Sequence, residues 1–260
     1  REIREMGFEY AALSHGIRMG LVEGIVQAVE AGEIRISSVH NFCPLPMGVT
    51  KPSPNLYQCS SRRAREVEMC WKHTIKTLDM ARRVGARAVV LHLGSVDMRN
   101  YTDKLLSLIE RGRQHEEKYQ RLCMEVDEKI EARKEPFVER SAQFLEKLIP
   151  EAEARGLKLG IENRESLGEI PIDGDFPRFL QRFSSPAVVY WHDCGHAQIK
   201  ENLGFISHRL HIETMHERLG GMHIHDVVFP GNDHRPPGEG GVDFAMLKEF
   251  VKKDTIKVFE

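Results

Sequence analysis

Cysteine is scarce and scattered. The 260-residue chain carries five, at 43, 59, 70, 123 and 194, and no two stand in a CxxC spacing. That argues against a thiolate zinc cluster or a disulfide framework and leads us to expect reduced thiols in a cytoplasmic protein. Long apolar runs are absent too. No stretch approaches the roughly 20 residues of a membrane span, and no segment near the start reads as a signal peptide. An excess of one charge is also missing. With 37 Lys and Arg against 39 Asp and Glu, the net charge of −2 gives no general attraction to nucleic acid. Internal repeats and low-complexity linkers are lacking. At 41% hydrophobic residues, the chain is long enough to bury one large core, and residues 1–260 are expected to form a single domain.

What is present is a series of short apolar runs, each closed by a polar residue of metal-binding type. Residues 35–40 end at His40, 88–94 contain His92, 157–163 contain Glu162, 187–193 end at Asp193, 221–226 contain His223, and 256–260 end at Glu260. Such runs are what buried parallel strands look like, so these side chains should emerge at one end of one sheet. Residues 7–14 supply a seventh strand. Between the runs lie stretches of helical spacing. Val67, Trp71, Ile75, Leu78 and Ala81 form one apolar stripe, and Gly85 ends that helix. Alternating strand and helix implies right-handed crossovers and a parallel α/β sheet. Seven strands, a first six residues that read as the end of a helix, and a last strand with no covering helix predict a (β/α)8 TIM barrel whose first strand and last helix lie outside this sequence.

The segment from about 100 to 155 departs in composition, being rich in Glu, Lys and Arg. Opposite charges three and four apart predict solvated helices. The alternative is an elongated βα unit that shields the barrel mouth or contacts a second copy of the chain in a homo-oligomer.

The polar residues can be weighed one by one. A carboxylate at Glu162, following Leu157, Leu159 and Ile161, is costly to bury unless a cation or hydrogen bonds compensate it. Asp193 and His196 are spaced to face one centre, or to form a helix cap followed by a first-turn histidine. His223 and His225 alternate with Met222 and Ile224 and share a strand face, so one is a ligand candidate and the other a core histidine. His40 and His92 lie opposite the carboxylates. Mn, Co, Mg and Zn ions all accept this mixture of carboxylate and imidazole. Cys194 turns away from the site by alternation. Residues 236–243 read as a tight turn with Asp243 capping the next helix, with phosphate binding as the alternative.

The series of 161–163, 193–196, 223–226, 232–240 and the terminal strand Glu resembles the xylose-isomerase-like TIM barrels, over essentially the whole chain. That superfamily contains sugar isomerases and epimerases, inosose dehydratases and the endonuclease IV class. In the epimerase branch, the resemblance implies one divalent metal ion held by Glu162, Asp193, His223 and Glu260. His223 takes the ligand place by its spacing to Asp226. Glu162 and Glu260 are also implied as the acid/base pair, passing a proton through an enediolate whose charge the metal stabilises. His196 matches a residue that contacts substrate oxygen.

The endonuclease branch implies additional metal ligands at His40, His92, His196 and His234, but Asn232 stands where that branch has an Asp. The expected partner is a sugar or sugar phosphate, with nucleic acid and membrane disfavoured. Phe229 and Gly168 replace an Arg and a Glu of several ketose epimerases. His40, His92, His225, Arg164 and Arg235 are the remaining candidates for substrate contact. A dehydratase using the same site, an endonuclease IV-like zinc phosphodiesterase and a noncatalytic sugar-binding barrel are the alternatives to an isomerase or epimerase.

Overall fold

Short apolar strands build one parallel sheet in the computed structural model, which describes residues 2–260. In chain order the strands are β1 (Tyr10–Leu13), β2 (Arg35–His40), β3 (Ala88–Leu91), β4 (Lys158–Glu162), β5 (Val188–Asp193), β6 (Leu219–Ile224), β7 (Asp226–Val228), β8 (Asn232–Arg235) and β9 (Ile256–Phe259). Seven of them pair in the order β1-β2-β3-β4-β5-β6-β9, while β7 and β8 form a separate antiparallel pair beyond the end of β6. The helices are α1 (Glu2–Glu5), α2 (Val22–Glu30), α3 (Ala64–Arg83), α4 (Thr102–Glu110), α5 (Glu117–Glu131), α6 (Glu135–Glu153), α7 (Phe176–Gln181), α8 (Cys194–Asn202), α9 (His208–Met215) and α10 (Phe244–Lys248). Helices interleaved with seven parallel strands make a nearly closed TIM barrel. The two edge strands are β1 and β9, and the rings of Phe8 and Phe259 approach to 5.8 Å between them.

The periodicities predicted these elements closely. The helix expected around Val67–Ala81 is α3, which buries Cys70, Thr74, Leu78 and Ala81 on its sheet face. It ends before Gly85, whose φ of 69° is the left-handed conformation of a helix stop. The charged segment forms three helices, α4 to α6, each with one buried stripe. Tyr119 on α5 reaches across to donate to Leu203 O at 3.0 Å, so the segment packs on the barrel wall near α8.

Inside the barrel, Trp191 is fully buried with Ala88, Val90 and Ile256. Gly160 and Gly221 make room for it from the neighbouring strands, since a Cβ at Gly221 would lie 2.2 Å from the indole. This layer floors the cavity above it.

Candidate metal centre

Six of the seven barrel strands deliver a polar side chain at or just past the C-terminal end, the end at which TIM barrels place their sites. His40 closes β2, His92 follows β3, Glu162 closes β4, Asp193 closes β5, His223 is the next-to-last residue of β6, and Glu260 follows β9. All six line one cavity of about 770 Å³, together with His15, Arg164, Glu165, His196 and His234.

Glu162 stands at the centre and is buried. Its Oε1 lies 2.9 Å from His223 Nδ1, while its Oε2 lies 2.7 Å from His92 Nε2, 3.4 Å from His40 Nε2 and 3.3 Å from Arg164 Nη1. His223 Nδ1 is also 3.5 Å from Asp193 Oδ2, and its Nε2 is 3.6 Å from Glu260 Oε1. Asp193, His223 and Glu260 can therefore place ligand atoms within 4.8 Å of one another, and His40, His92 and Glu162 form a second such group.

Asp193 does two jobs at once. Its Oδ1 accepts from His196 N at 2.7 Å as the cap of α8, and from His225 Nε2 at 3.1 Å. His225 Nδ1 accepts from His234 N at 3.0 Å, so His225 orients Asp193 from behind. Asn163, which the sequence reading passed over, braces the same ligand. Its amide accepts from Asp193 N and donates to Asp193 O, and its own carbonyl accepts from His196 Nδ1 at 3.0 Å.

Two features of the electrostatics show that these residues fit a cation. Burial alone lowers the affinity of His223 for a proton. The charge of Glu162 and hydrogen bonds with Asp193 and Glu162 overcome that and push its pKa up to about 10. The proton is held in place by surrounding carboxylates, where a divalent ion would compensate them better. His92 is the second feature. Burial, followed by the charge of Arg164, lowers its pKa to about 3, so the ring is neutral. A neutral imidazole has one N–H, yet this one stands between two acceptors. Asn55 Oδ1 lies 2.9 Å from Nδ1 and the Glu162 carboxylate faces Nε2. The amide orientation of Asn55 is fixed by its donation to Glu169 Oε1 at 2.9 Å. A cation shared by Nε2 and Glu162 resolves the conflict. His40 is set similarly, with Nδ1 donating to Asn41 O at 2.8 Å and Nε2 facing Glu162.

Among the other expected residues, Arg164 lines the cavity but is braced between Glu162 and Glu169, 3.4 Å from the latter. Arg235 is not brought to the site. It is exposed and paired with Glu239 at 2.8 Å, because β8 turns its side chain outward. His234 has a φ of 51° and places Nε2 3.6 Å from Glu260 Oε2. Cys194 is buried at the start of α8 and does not line the cavity. The turn at 236–243 is engaged by protein rather than open to phosphate. Gly238 N, Gly240 N and Val242 N all donate to the Asp226 carboxylate at 2.8 to 3.0 Å. Asp243 caps α10 as expected, accepting from Met246 N at 2.9 Å.

The sequence reading missed His15, Asn55, Asn163, Glu165, Glu169 and Asp233. His15 stands two residues past the end of β1, where His92 stands one past β3, so a strand-end rule extended by one residue would have found it. The others sit in loops or β8.

The model of the xylose isomerase-like TIM barrel family matches residues 1–258. Among solved structures, a D-tagatose 3-epimerase-like protein superposes with a TM-score of 0.69 at 16% identity, over 100% of this chain and 84% of that one. The apo form of 3-keto-D-glucoside 4-epimerase from E. coli gives 0.67 at 17%, over 100% and 84%. The protein IolI with a bound zinc atom gives 0.64 at 13%, over 98% and 80%. A search of curated proteins finds no match. At such identities the structural likeness speaks to the fold, and the family match covers nearly the whole of it. The chain belongs to the xylose isomerase-like TIM barrel family.

Proposed function

We propose that this protein is a divalent-metal-dependent sugar isomerase or epimerase that works by proton transfer at a carbon next to a carbonyl. The observation that carries this reading is the placement of Glu162 and Glu260 against opposite nitrogens of His223, at 2.9 and 3.6 Å, within one cavity. Two carboxylates held apart in this way can address the two faces of a bound carbon. The structural likeness to sugar epimerases agrees with it.

Glu162, Asp193, His223 and Glu260 are the residues that would hold the metal ion, whose charge would offset negative charge developing on the substrate oxygens. The chain's own groups move the proton. Burial works against ionisation of Glu162, but His223 and Arg164 hold its pKa well below the usual carboxylate range, so it is ionised and able to accept a proton. Glu260 is likewise held low, against burial, by His234 and His223. The protonated neighbour that holds it ionised is His234, whose pKa is raised to about 10, chiefly by its hydrogen bond to Asp233. His196, which lines the same cavity, is the residue we assign to contact with a substrate oxygen.

Solvent deuterium incorporation into a panel of keto sugars tests this reading. Exchange at one carbon in the wild type, lost by at least a thousandfold in Glu162→Gln, is expected. Equal exchange rates in the two proteins would remove Glu162 from the mechanism. Irreversible loss of water in the same assay would assign the dehydratase instead. Convergence of His40 and His92 on Glu162 also keeps a zinc phosphodiesterase in view, which cleavage of an abasic-site oligonucleotide would reveal. Binding of a sugar without exchange at any carbon would mean a noncatalytic barrel.

A further inference from the structure

Behind the metal centre lies a second polar layer that the proposed chemistry does not use. Strand alternation turns Trp191 and Asp193 into the barrel, and Tyr190 and His192 toward the outer helices. There Tyr190 packs on Phe176 of α7, with ring centroids 5.2 Å apart. Asn163, the residue after β4, and His208, the first of α9, meet them in the same layer. All four are buried, at 0 or 1% exposure. A polar group placed there must be satisfied by its neighbours.

The four are joined in one line. Tyr190 Oη lies 3.1 Å from Asn163 Oδ1 and 2.7 Å from His192 Nδ1, and His192 Nε2 lies 3.0 Å from His208 Nε2. The backbone of Asp193 sets the orientation of the Asn163 amide. Its N–H donates to Oδ1 at 2.7 Å, and its carbonyl accepts from Nδ2 at 3.0 Å. Oδ1 can only accept, so the Tyr190 hydroxyl is the donor to it. A phenol has one hydrogen. Tyr190 Oη therefore accepts from His192, which places a hydrogen on Nδ1 of that ring. Asn163 Oδ1 is thus held on two sides, by Asp193 N and by Tyr190. The bonds between Asn163 and Asp193 tie those two residues to each other, and the bond from Tyr190 ties the pair, through His192 and His208, to α9.

We propose that Tyr190 is a positioning residue of the metal centre: its hydroxyl, aligned by His192 and His208, holds the Asn163 amide that sets Asp193. The proposal rests on the assignment of Asp193 as a metal ligand. Tyr190 does not line the cavity, so its effect reaches a bound ion only through Asn163 and Asp193. Hydrogen bonds of this kind fix the direction of a ligand before the ion arrives, and their loss is felt as weaker binding rather than as a missing ligand.

Mn2+ titration followed by the electron paramagnetic resonance of the free ion tests the proposal on wild type, Tyr190→Phe, Asn163→Ala, the double variant and Asp193→Asn, with a thermal melt of each. Tyr190→Phe is expected to stay folded and to weaken Mn2+ binding about tenfold, as loss of the outer partners of metal ligands does. In the Asn163→Ala background the same change is expected to weaken it no further. A folded Tyr190→Phe with the wild-type isotherm, or equal weakening in both backgrounds, would overturn the proposal. A second readout needs no variant. Long-range proton–nitrogen NMR correlations of the wild-type histidine rings are expected to show a hydrogen on Nδ1 of His192; a ring protonated at Nε2 alone would turn the Tyr190 hydroxyl away from Asn163 and end the proposal. If Asp193→Asn binds Mn2+ as the wild type does, or the wild type binds none, the ligand assignment falls and the proposal with it.

Discussion

His223 concentrates the consequences of the site's charge. Its proton is held by Glu162 and Asp193 with a pKa of about 10, and an imidazole must be neutral to bind a metal ion. Cation uptake near pH 7 should therefore release about one proton per ion, and affinity should rise with pH up to about 10. Calorimetry in buffers of different ionisation enthalpy measures the release; uptake without proton release would show that His223 is not a ligand. Glu162, Asp193 and His223 were legible in the sequence because each interrupts an apolar run, where burial of a polar group needs a reason. Glu165, Glu169 and Asp233 were not, because a loop carboxylate carries no periodicity and its direction depends on how the chain turns. Arg235 illustrates the converse: a suitable residue type near the right motif, turned outward by one step of β-alternation.

Strands and helices set the positions of these residues through close approaches that only small side chains allow. A Cβ at Gly195, in the first turn of α8, would lie 2.0 Å from His225 Cε1. Gly195→Ala should push His225 away from Asp193 and weaken cation binding about tenfold or more while the chain remains folded, which titration alongside circular dichroism would check. The loop between β8 and α10 depends on a single carboxylate. Asp226 accepts four backbone amides, from Val227, Gly238, Gly240 and Val242. Asp226→Ala should cost about 3 kcal/mol and lower the melting temperature by several degrees, given typical values for charged hydrogen bonds. An unchanged melt would mean the loop contributes nothing to stability. The elements themselves were readable from period and length, since seven strands and α3 follow the apolar pattern. That the 100–155 segment folds as helices was readable from its charge spacing, but the buried stripe on each of its three helices was less so, because it is diluted by charge.

Across the whole molecule, the hydrogen-bonded polar interior makes the fold sensitive to acid. His208 and His211 lie buried between the barrel and its outer helices, and each has its pKa lowered to about 4, mainly by burial. The unfolded chain protonates these rings below about pH 6.5 while the native state does not, so stability is fully present above that pH and is lost as pH falls toward 4. Each ring contributes on the order of 3 kcal/mol over that interval. Urea unfolding between pH 7 and 4 should show the midpoint falling, and His208→Gln with His211→Gln should flatten the dependence. A midpoint independent of pH in the wild type would contradict the burial of neutral histidines.

The barrel as a whole brings polar groups from six strand ends around one cavity, and the central claim is that this assembly moves a proton only when a cation is bound. Solvent deuterium incorporation into keto sugars, read by proton NMR for chelator-treated protein with and without added Mn2+, measures that claim most directly. The account predicts exchange at a single carbon that appears with Mn2+ and disappears on chelation. Exchange that persists at full rate in the chelated protein, or none with any keto sugar in a protein loaded with Mn2+, would contradict it.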